Sequence, residues 1–269
     1  MIPNVLSIAG SDPSGGAGIQ ADVKAMSANG AFAMAAVTAL TAQNTQGVSG
    51  VHHVPAGFVR QQIEAVFDDI RVDAVKIGMI ATAQIAEAVA DALAPRSDLP
   101  IVLDPVMVAK GGASLLDDDA VDTLLARLLP LAAVITPNLP EAARILGQTE
   151  ATSRAEMARQ ATGMRALGPA AVLIKGGHLV GGESPDCLAT AEGVTWIEGT
   201  RIATENTHGT GCTLSSALAA QIAHRHPLPR AVANAKSYVS AAIAGAQALS
   251  VGAGHGPTHH FANLSFSKG

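Results

Sequence analysis

Short β-branched runs alternate with helix-period segments along most of this chain, and no other feature restricts its fold as tightly. NVLSIAG is followed by IQADVKAMSAN, AMAAVTAL by FVRQQIEAVFDDI, DAVKIG by IAEAVADAL, PIVLDPV by DAVDTLLARLL, and AVITPN by MARQATGMRAL, before AVLIKGG. This rhythm predicts repeated βαβ units around a buried, mostly parallel sheet with helices on both faces. DCLATAEGVTWIEGTRI then alternates apolar and polar residues around Glu192-Gly193, which predicts an antiparallel hairpin at an edge. Two Ala-rich segments, TLSSALAAQIAHR and PRAVANAKSYVSAAIAGAQAL, follow as helices, and the Gly- and His-rich ending GAGHGPTHHFANLSFSKG reads as a surface tail. With no composition break, linker or internal repeat, residues 1–269 are expected to form one α/β domain.

Composition excludes several classes of function. Apolar residues make up 48% and charged residues 14%, which rules out intrinsic disorder. A net charge of -5 without any Lys/Arg-rich run argues against a nucleic-acid partner, because nonspecific binding to phosphate backbones rests on clustered cations. Cys187 and Cys212 cannot build a disulfide framework, and neither has metal-type Cys/His spacing around it, so a reducing cytosol is the expected home. MIPNVLSIAG carries no basic segment or cleavage-site pattern, and AFAMAAVTALTA is too short to span a bilayer, so a soluble, cytoplasmic protein is expected. His52-His53 and His259-His260 are paired neighbours whose side chains point apart or into solvent, and no metal role is assigned to them.

Two glycine-rich loops carry the chemistry. AGSDPSGGAG follows the first strand, yet it lacks the Lys-Ser/Thr of a Walker loop and the acid that a dinucleotide fingerprint needs about 20 residues later. Its place at the C-terminal end of a strand still suits a ligand, with Asp22 one helical turn beyond Gly18 and able to face the same crevice; the other reading is a tight turn beside a surface Asp. The second loop, ENTHGTGCTLSSALAA, opens a helix with Gly209, Thr210 and Gly211, whose unpaired N–H groups and helix dipole make an anion hole. Cys212 lies in that first turn, where the same field is expected to lower its thiol pKa. Asp104 ends the strand in VLDPVM, and Asn138 and Glu141 are spaced N-x-x-E in ITPNLPE; such carboxylates can hold Mg²⁺ through water, and N-x-x-E is equally an ordinary capping box. Lys175 in AVLIKGGH is a point charge for nucleotide phosphates or an edge-of-sheet lysine.

AGSDPSGGAGIQAD, TALTAQNTQGV, KIGM, LDPVM, ITPNLPEA, LIKGGH and NTHGTGCTLSSA, in this order, resemble hydroxymethylpyrimidine/phosphomethylpyrimidine kinase of the ribokinase-like superfamily. The resemblance implies a central sheet flanked by helices, and ATP/Mg²⁺-dependent phosphorylation of 4-amino-2-methyl-5-hydroxymethylpyrimidine and then of its monophosphate, for thiamine biosynthesis. It also implies a homodimer. By the same inference Gly10, Asp22, Gln43, Met79 and Val106 surround the pyrimidine, Asp104 and Glu141 serve the metal, Asn138 and Lys175 the nucleotide, and Gly209, Thr210 and Gly211 the transferring group. Cys212 stands where sugar kinases of the superfamily place an Asp base, as in pyrimidine and some pyridoxal kinases, and either takes the substrate hydroxyl proton or orients it. Pyridoxal kinase of the same subfamily is the alternative, and Gln43 is the residue expected to decide. A nonenzymatic small-molecule sensor is disfavoured by the joint presence of Asn138, Glu141, Lys175 and Cys212.

Overall fold

A computed structural model describes residues 1–107 and 118–264 of the chain. The chain enters as β1 (Asn4–Ala9), α1 (Gly18–Ala28) and β2 (Phe32–Val37), then forms a hairpin of β3 (Ala39–Asn44) and β4 (Gly47–His53). It continues through α2 (Ala56–Asp69), β5 (Ala74–Ile77), α3 (Ala83–Leu93), β6 (Ile101–Leu103), α4 (Asp118–Thr123) and β7 (Val134–Ile135). Then come α5 (Leu139–Leu146), α6 (Arg154–Arg165), β8 (Val172–Ile174), β9 (Asp186–Thr190), β10 (Gly193–Ile197), α7 (Thr210–Ala223) and α8 (Leu228–Ala244). The main sheet has the order β10-β9-β8-β7-β6-β5-β1-β2. Its ladders are parallel from β2 to β8; β9–β10 is the antiparallel edge hairpin that the alternation around Glu192-Gly193 predicts, and β8–β9 is antiparallel as well.

The two-residue period of each strand splits the core into two layers. Leu6, Ile8, Val75, Ile77, Ile101, Leu103, Val172 and Ile174 face one cluster with Val59 and Ile63 of α2 and Ile85 and Val89 of α3. Val5, Ala74, Val102, Val134 and Leu173 face the other, with Ala25 and Met26 of α1, Leu214 and Leu218 of α7 and Val232 of α8. Strands with apolar groups on both faces have no solvent side, which is why they read as continuous hydrophobic runs. In α7 every residue from Thr213 to Ala220 is buried. Its small Ala and Ser side chains let it lie close to the sheet, and its N-terminus is held at the sheet's C-terminal edge. Among the described residues no helix is long and apolar enough to cross a membrane.

Two expectations are corrected. AMAAVTAL is not one strand: the Thr38 N–H bonds to the Ala9 carbonyl to continue the main ladder, while the Thr38 carbonyl accepts from Val54 N–H and closes the base of the β3–β4 hairpin. The chain leaves the main sheet there and makes a separate two-stranded sheet. Nor is the ending a surface tail as far as residue 260, because Pro257, Thr258 and His260 are buried. Tyr238 donates to the His260 carbonyl at 2.7 Å, and His260 Nε2 lies 3.2 Å from Thr213 Oγ1. Glycine and histidine make the segment look solvated, yet glycine lets a backbone pack closely and histidine can be buried neutral; burial pushes the His260 imidazole down to about 4. The last part of the proposed tail, 265–269, lies outside the described residues.

Candidate active site

The strand order reverses at β1, which has β2 on one side and β5 on the other. Open α/β sheets leave a crevice beyond the carboxyl ends of the strands at such a point. A cavity of about 1050 Å³ occupies it, and its lining brings together Gly10, Gln43, Met79, Asp104, Val106, Asn138, Glu141, Lys175, Gly209, Thr210, Gly211 and Cys212. That set spans the chain from the first strand to α7, and of the residues expected at the site only Asp22 is missing from it.

Asp22 lies beneath the cavity floor. Strand period explains why: Ser7 and Lys76 point to the same face as Val5 and Ala74, toward α1 and α7. Asp22 is completely buried there and accepts both of its Lys76 Nζ bonds at 2.8 Å, Ser7 Oγ at 2.6 Å and Ser216 Oγ at 2.7 Å. Its carboxylate is fully occupied by protein donors. Burial, the largest single effect, would lower the Lys76 ammonium pKa, but Asp22, Cys212 and Asp104 together outweigh it and the result is a raised value.

The polar wall opposite is built from the ends of β6, β7 and β8. Buried Asp104 accepts from Lys175 Nζ at 2.9 Å, Thr136 Oγ1 at 3.0 Å and Ser215 Oγ at 3.2 Å. Burial opposes its charge, yet Lys175, Lys76 and these donors hold its carboxyl below the usual range. Asn138 and Glu141 form a reciprocal capping box at the start of α5, with both bonds at 2.8 Å. Glu141 is also buried against the cavity, with one oxygen 3.9 Å from Lys175 Nζ. Burial, reinforced by Asp104 and only partly offset by Lys175, pushes its carboxyl up to about 7. Capping and site membership are therefore compatible for this pair.

Gly209 caps α7 in the left-handed conformation with φ +75°, and a Cβ there would overlap the Gly16 carbonyl. A Cβ on Gly18, with φ +55°, would overlap the Gly10 carbonyl. The glycines of the opening loop thus serve close contact of backbone with backbone: they seat the anion loop directly against the loop after β1. Cys212 follows in the first turn of α7, with a Gly18 N–H directed to its sulfur. Its thiol was expected to fall, and the structure reverses that. Cys212 is half-buried at the cavity wall; loss of solvent dominates, the Asp22 and Asp104 carboxylates add to it, Lys76 offsets only part, and the thiol is pushed up to about 11.

Asp12 and His208 are functional candidates that the sequence reading missed. His208 Nε2 is 2.7 Å from Asp12 Oδ2 and 3.5 Å from Gln43 Nε2. Asp12 also accepts from Ser14 N–H and Oγ and from Ala17 N–H. Burial works against its charge, but the bond to His208 leads the effects that lower its carboxyl to about 2. Their adjacency to the two glycine loops is the only signal the sequence offers, since the partners are 196 positions apart.

A mostly parallel sheet with a cavity at its strand ends, closed by a glycine-capped helix and a two-stranded flap, defines a ribokinase-like kinase of small molecules. The family model for phosphomethylpyrimidine kinase matches residues 12–259, and the chain belongs to that family. It is 51% identical to the hydroxymethylpyrimidine/phosphomethylpyrimidine kinase of Salmonella typhimurium over 96% of this chain and 97% of that one. The crystal structure of phosphomethylpyrimidine kinase from Clostridium difficile superposes with a TM-score of 0.80 at 41% identity, covering 90% of this chain and 99% of that one. Pyridoxal kinase from Staphylococcus aureus in complex with AMP-PCP and pyridoxal superposes with a TM-score of 0.89 at 31% identity, covering 98% and 95%.

Proposed function

We propose that this protein, as one ribokinase-like domain over residues 1–269, transfers the γ-phosphoryl group of ATP to 4-amino-2-methyl-5-hydroxymethylpyrimidine and then to its monophosphate, giving the diphosphate used in thiamine biosynthesis. The observation that carries the reading is one cavity holding an amide, Gln43, and a glycine-capped helix N-terminus, Gly209 to Cys212, in a chain of this family. Gly10, Met79 and Val106 line the same space and would hold the ring, with Asp22 acting from below through Lys76. Phosphoryl transfer asks a protein mainly for positioning and charge stabilisation. The 209–212 amides suit the equatorial oxygens of the moving group, and Lys175 and Asn138 the nucleotide phosphates. A thiol pushed up to about 11 is protonated at neutral pH, which supports Cys212 as a group that orients the acceptor hydroxyl, with the proton leaving late.

Magnesium fits the donor set. Among the described residues no cluster of three or more His, Cys, Asp or Glu would hold a metal unaided. Asp104 and Glu141, both within 4 Å of Lys175 Nζ, offer the one or two carboxylates that Mg²⁺ takes when it keeps its waters and binds phosphate oxygens. Bound there, the ion would neutralise charge on the triphosphate. The same reading makes the protein a cytoplasmic homodimer; exposed apolar Phe32, Leu40 and Val51 on β2, β3 and β4 support the dimer. Coupled ADP release with hydroxymethylpyrimidine, its monophosphate and pyridoxal tests the proposal. Turnover of both pyrimidines with pyridoxal at least tenfold poorer in kcat/KM is expected; pyridoxal as the better acceptor would replace the reading with pyridoxal kinase.

A further inference from the structure

The segment 252–258 touches both halves of the cavity from outside. On the acceptor side Gly254 N–H donates to Thr45 Oγ1 at 3.2 Å and His255 N–H to the Thr45 carbonyl at 3.0 Å. Thr45 lies in the turn of the β3–β4 hairpin, two residues from Gln43. On the phosphate side His208 N–H donates to the Gly256 carbonyl at 3.0 Å and Thr258 N–H to the His208 carbonyl at 3.4 Å. Thr258 Oγ1 also lies 3.3 Å from Thr213 Oγ1 in the first turn of α7. Both contacts are too close for a side chain: a Cβ on Gly254 would overlap the Thr45 carbonyl, and one on Gly256 would overlap the Asn206 side-chain amide.

A two-stranded hairpin outside the main sheet is marginal by itself, so what grips it decides where its side chains sit. Its base is held by Ser11, which bonds Thr41 N–H at 3.2 Å and accepts from Thr41 Oγ1 at 2.9 Å. Its tip is held by the 252–258 segment. We propose that residues 252–258 are a positioning strap that fixes the Gln43 hairpin relative to the anion loop, with Gly254 setting the hairpin and Gly256 setting the loop. The strap touches neither acceptor nor phosphate; it acts through Thr45 on one side and through Asn206 and His208 on the other. The inference rests on the reading that Gln43 faces the acceptor and residues 209–212 the phosphoryl group.

Steady-state kinetics with hydroxymethylpyrimidine and ATP on Gly254→Ala and Gly256→Ala, with thermal melts alongside, separate a strap from a general structural role. Gly254→Ala should raise KM for the pyrimidine about tenfold with kcat and KM for ATP within about twofold. Gly256→Ala should lower kcat about tenfold with KM for the pyrimidine within about twofold, because the loop that moves contacts the transferring group. Adding Asn206→Ala to Gly256→Ala removes the atoms that the new methyl meets and should recover most of kcat. Thr45→Val, which deletes only the hydroxyl acceptor, should raise KM for the pyrimidine about threefold and keeps the test open should Gly254→Ala not fold. Folded variants that keep wild-type constants, or that lose the same parameter by the same factor, would overturn the strap. A wild-type enzyme inactive on the pyrimidine would instead overturn the functional reading.

Discussion

Replacing Asp22 with Asn tests whether this carboxylate supports the site from below or touches substrate. The carboxylate is completely buried, binds Lys76 Nζ through both oxygens at 2.8 Å and fills its remaining acceptor positions with Ser7 and Ser216. Asn has the same shape but no charge, and its amide turns a donor toward groups that all donate. Lys76, equally buried, would then carry an uncompensated ammonium. Breaking a buried pair by removing one partner costs about 3–5 kcal/mol, whereas exchanging both for apolar groups of similar volume is often near neutral. Asp22→Asn should therefore lose about 3–5 kcal/mol in urea unfolding at pH 7, on the order of 10 °C in Tm for a chain of this length. Lys76→Met alone should lose a similar amount. With Asp22→Leu also measured singly, the double variant Asp22→Leu/Lys76→Met should return to within about 2 kcal/mol of wild type, a coupling that a direct pair produces. An Asp22→Asn protein as stable as wild type but with KM for the pyrimidine raised tenfold would refute the reasoning and put Asp22 at the substrate.

Glu141→Gln should raise the Mg²⁺ concentration needed for half-maximal activity while pyrimidine affinity without nucleotide stays the same; an unchanged Mg²⁺ dependence would leave Glu141 as a helix cap only. The same variant tests linkage. Because the Glu141 carboxyl is raised from 4.5 to about 7 in the fold, its contribution is fully present below about pH 4.5 and lost as pH rises through about 7. Glu141→Gln should accordingly gain on wild type by up to about 3 kcal/mol between pH 4.5 and 8, measured by urea unfolding of the metal-free protein, and parallel curves would contradict the burial argument. Cys212→Ala should lower kcat about 10²-fold with little change in KM for the pyrimidine, and Cys212→Ser, which keeps a donor, should recover to within about tenfold of wild type. An alanine variant with near-native kcat would leave the thiol as a close-fitting wall.

The layered sheet was legible because strands buried on both faces leave long apolar runs between helix-period segments. The edge hairpin was legible for the opposite reason, since Glu192-Gly193 separates alternating runs. What the sequence hid depends on contacts distant along the chain. Nothing near Asp22 announces that Lys76, 54 positions on, takes its charge, and nothing near Asp12 announces His208. Thr38, between β2 and β3, passes the chain from one sheet to the other through its own two backbone bonds, to Ala9 and Val54, which no local pattern marks. The direction of the Cys212 shift is not legible because a helix N-terminus is visible in sequence, whereas desolvation at the cavity wall and the nearby Asp22 and Asp104 carboxylates are not. The same blindness made the Gly/His-rich ending look solvated, although its contacts with Thr45, His208 and Thr213 place it beside the site.

Gln43 bears most directly on the account. Its amide lines the cavity, with Thr41 Oγ1 3.3 Å from its oxygen, and the His208 nitrogen near its Nε2 lies closer still to Asp12. An aminopyrimidine edge presents an acceptor beside a donor, which a carboxamide matches; the phenolic oxygen and aldehyde of pyridoxal leave one amide group unmatched. The decisive quantity is the ratio of kcat/KM for hydroxymethylpyrimidine to that for pyridoxal, in the wild type and in Gln43→Leu. A wild-type preference for the pyrimidine that falls by about 1–3 kcal/mol in the variant, roughly 5–150-fold, is the predicted result. A ratio that stays the same while both activities fall together would mean that Gln43 holds the flap and does not read the substrate.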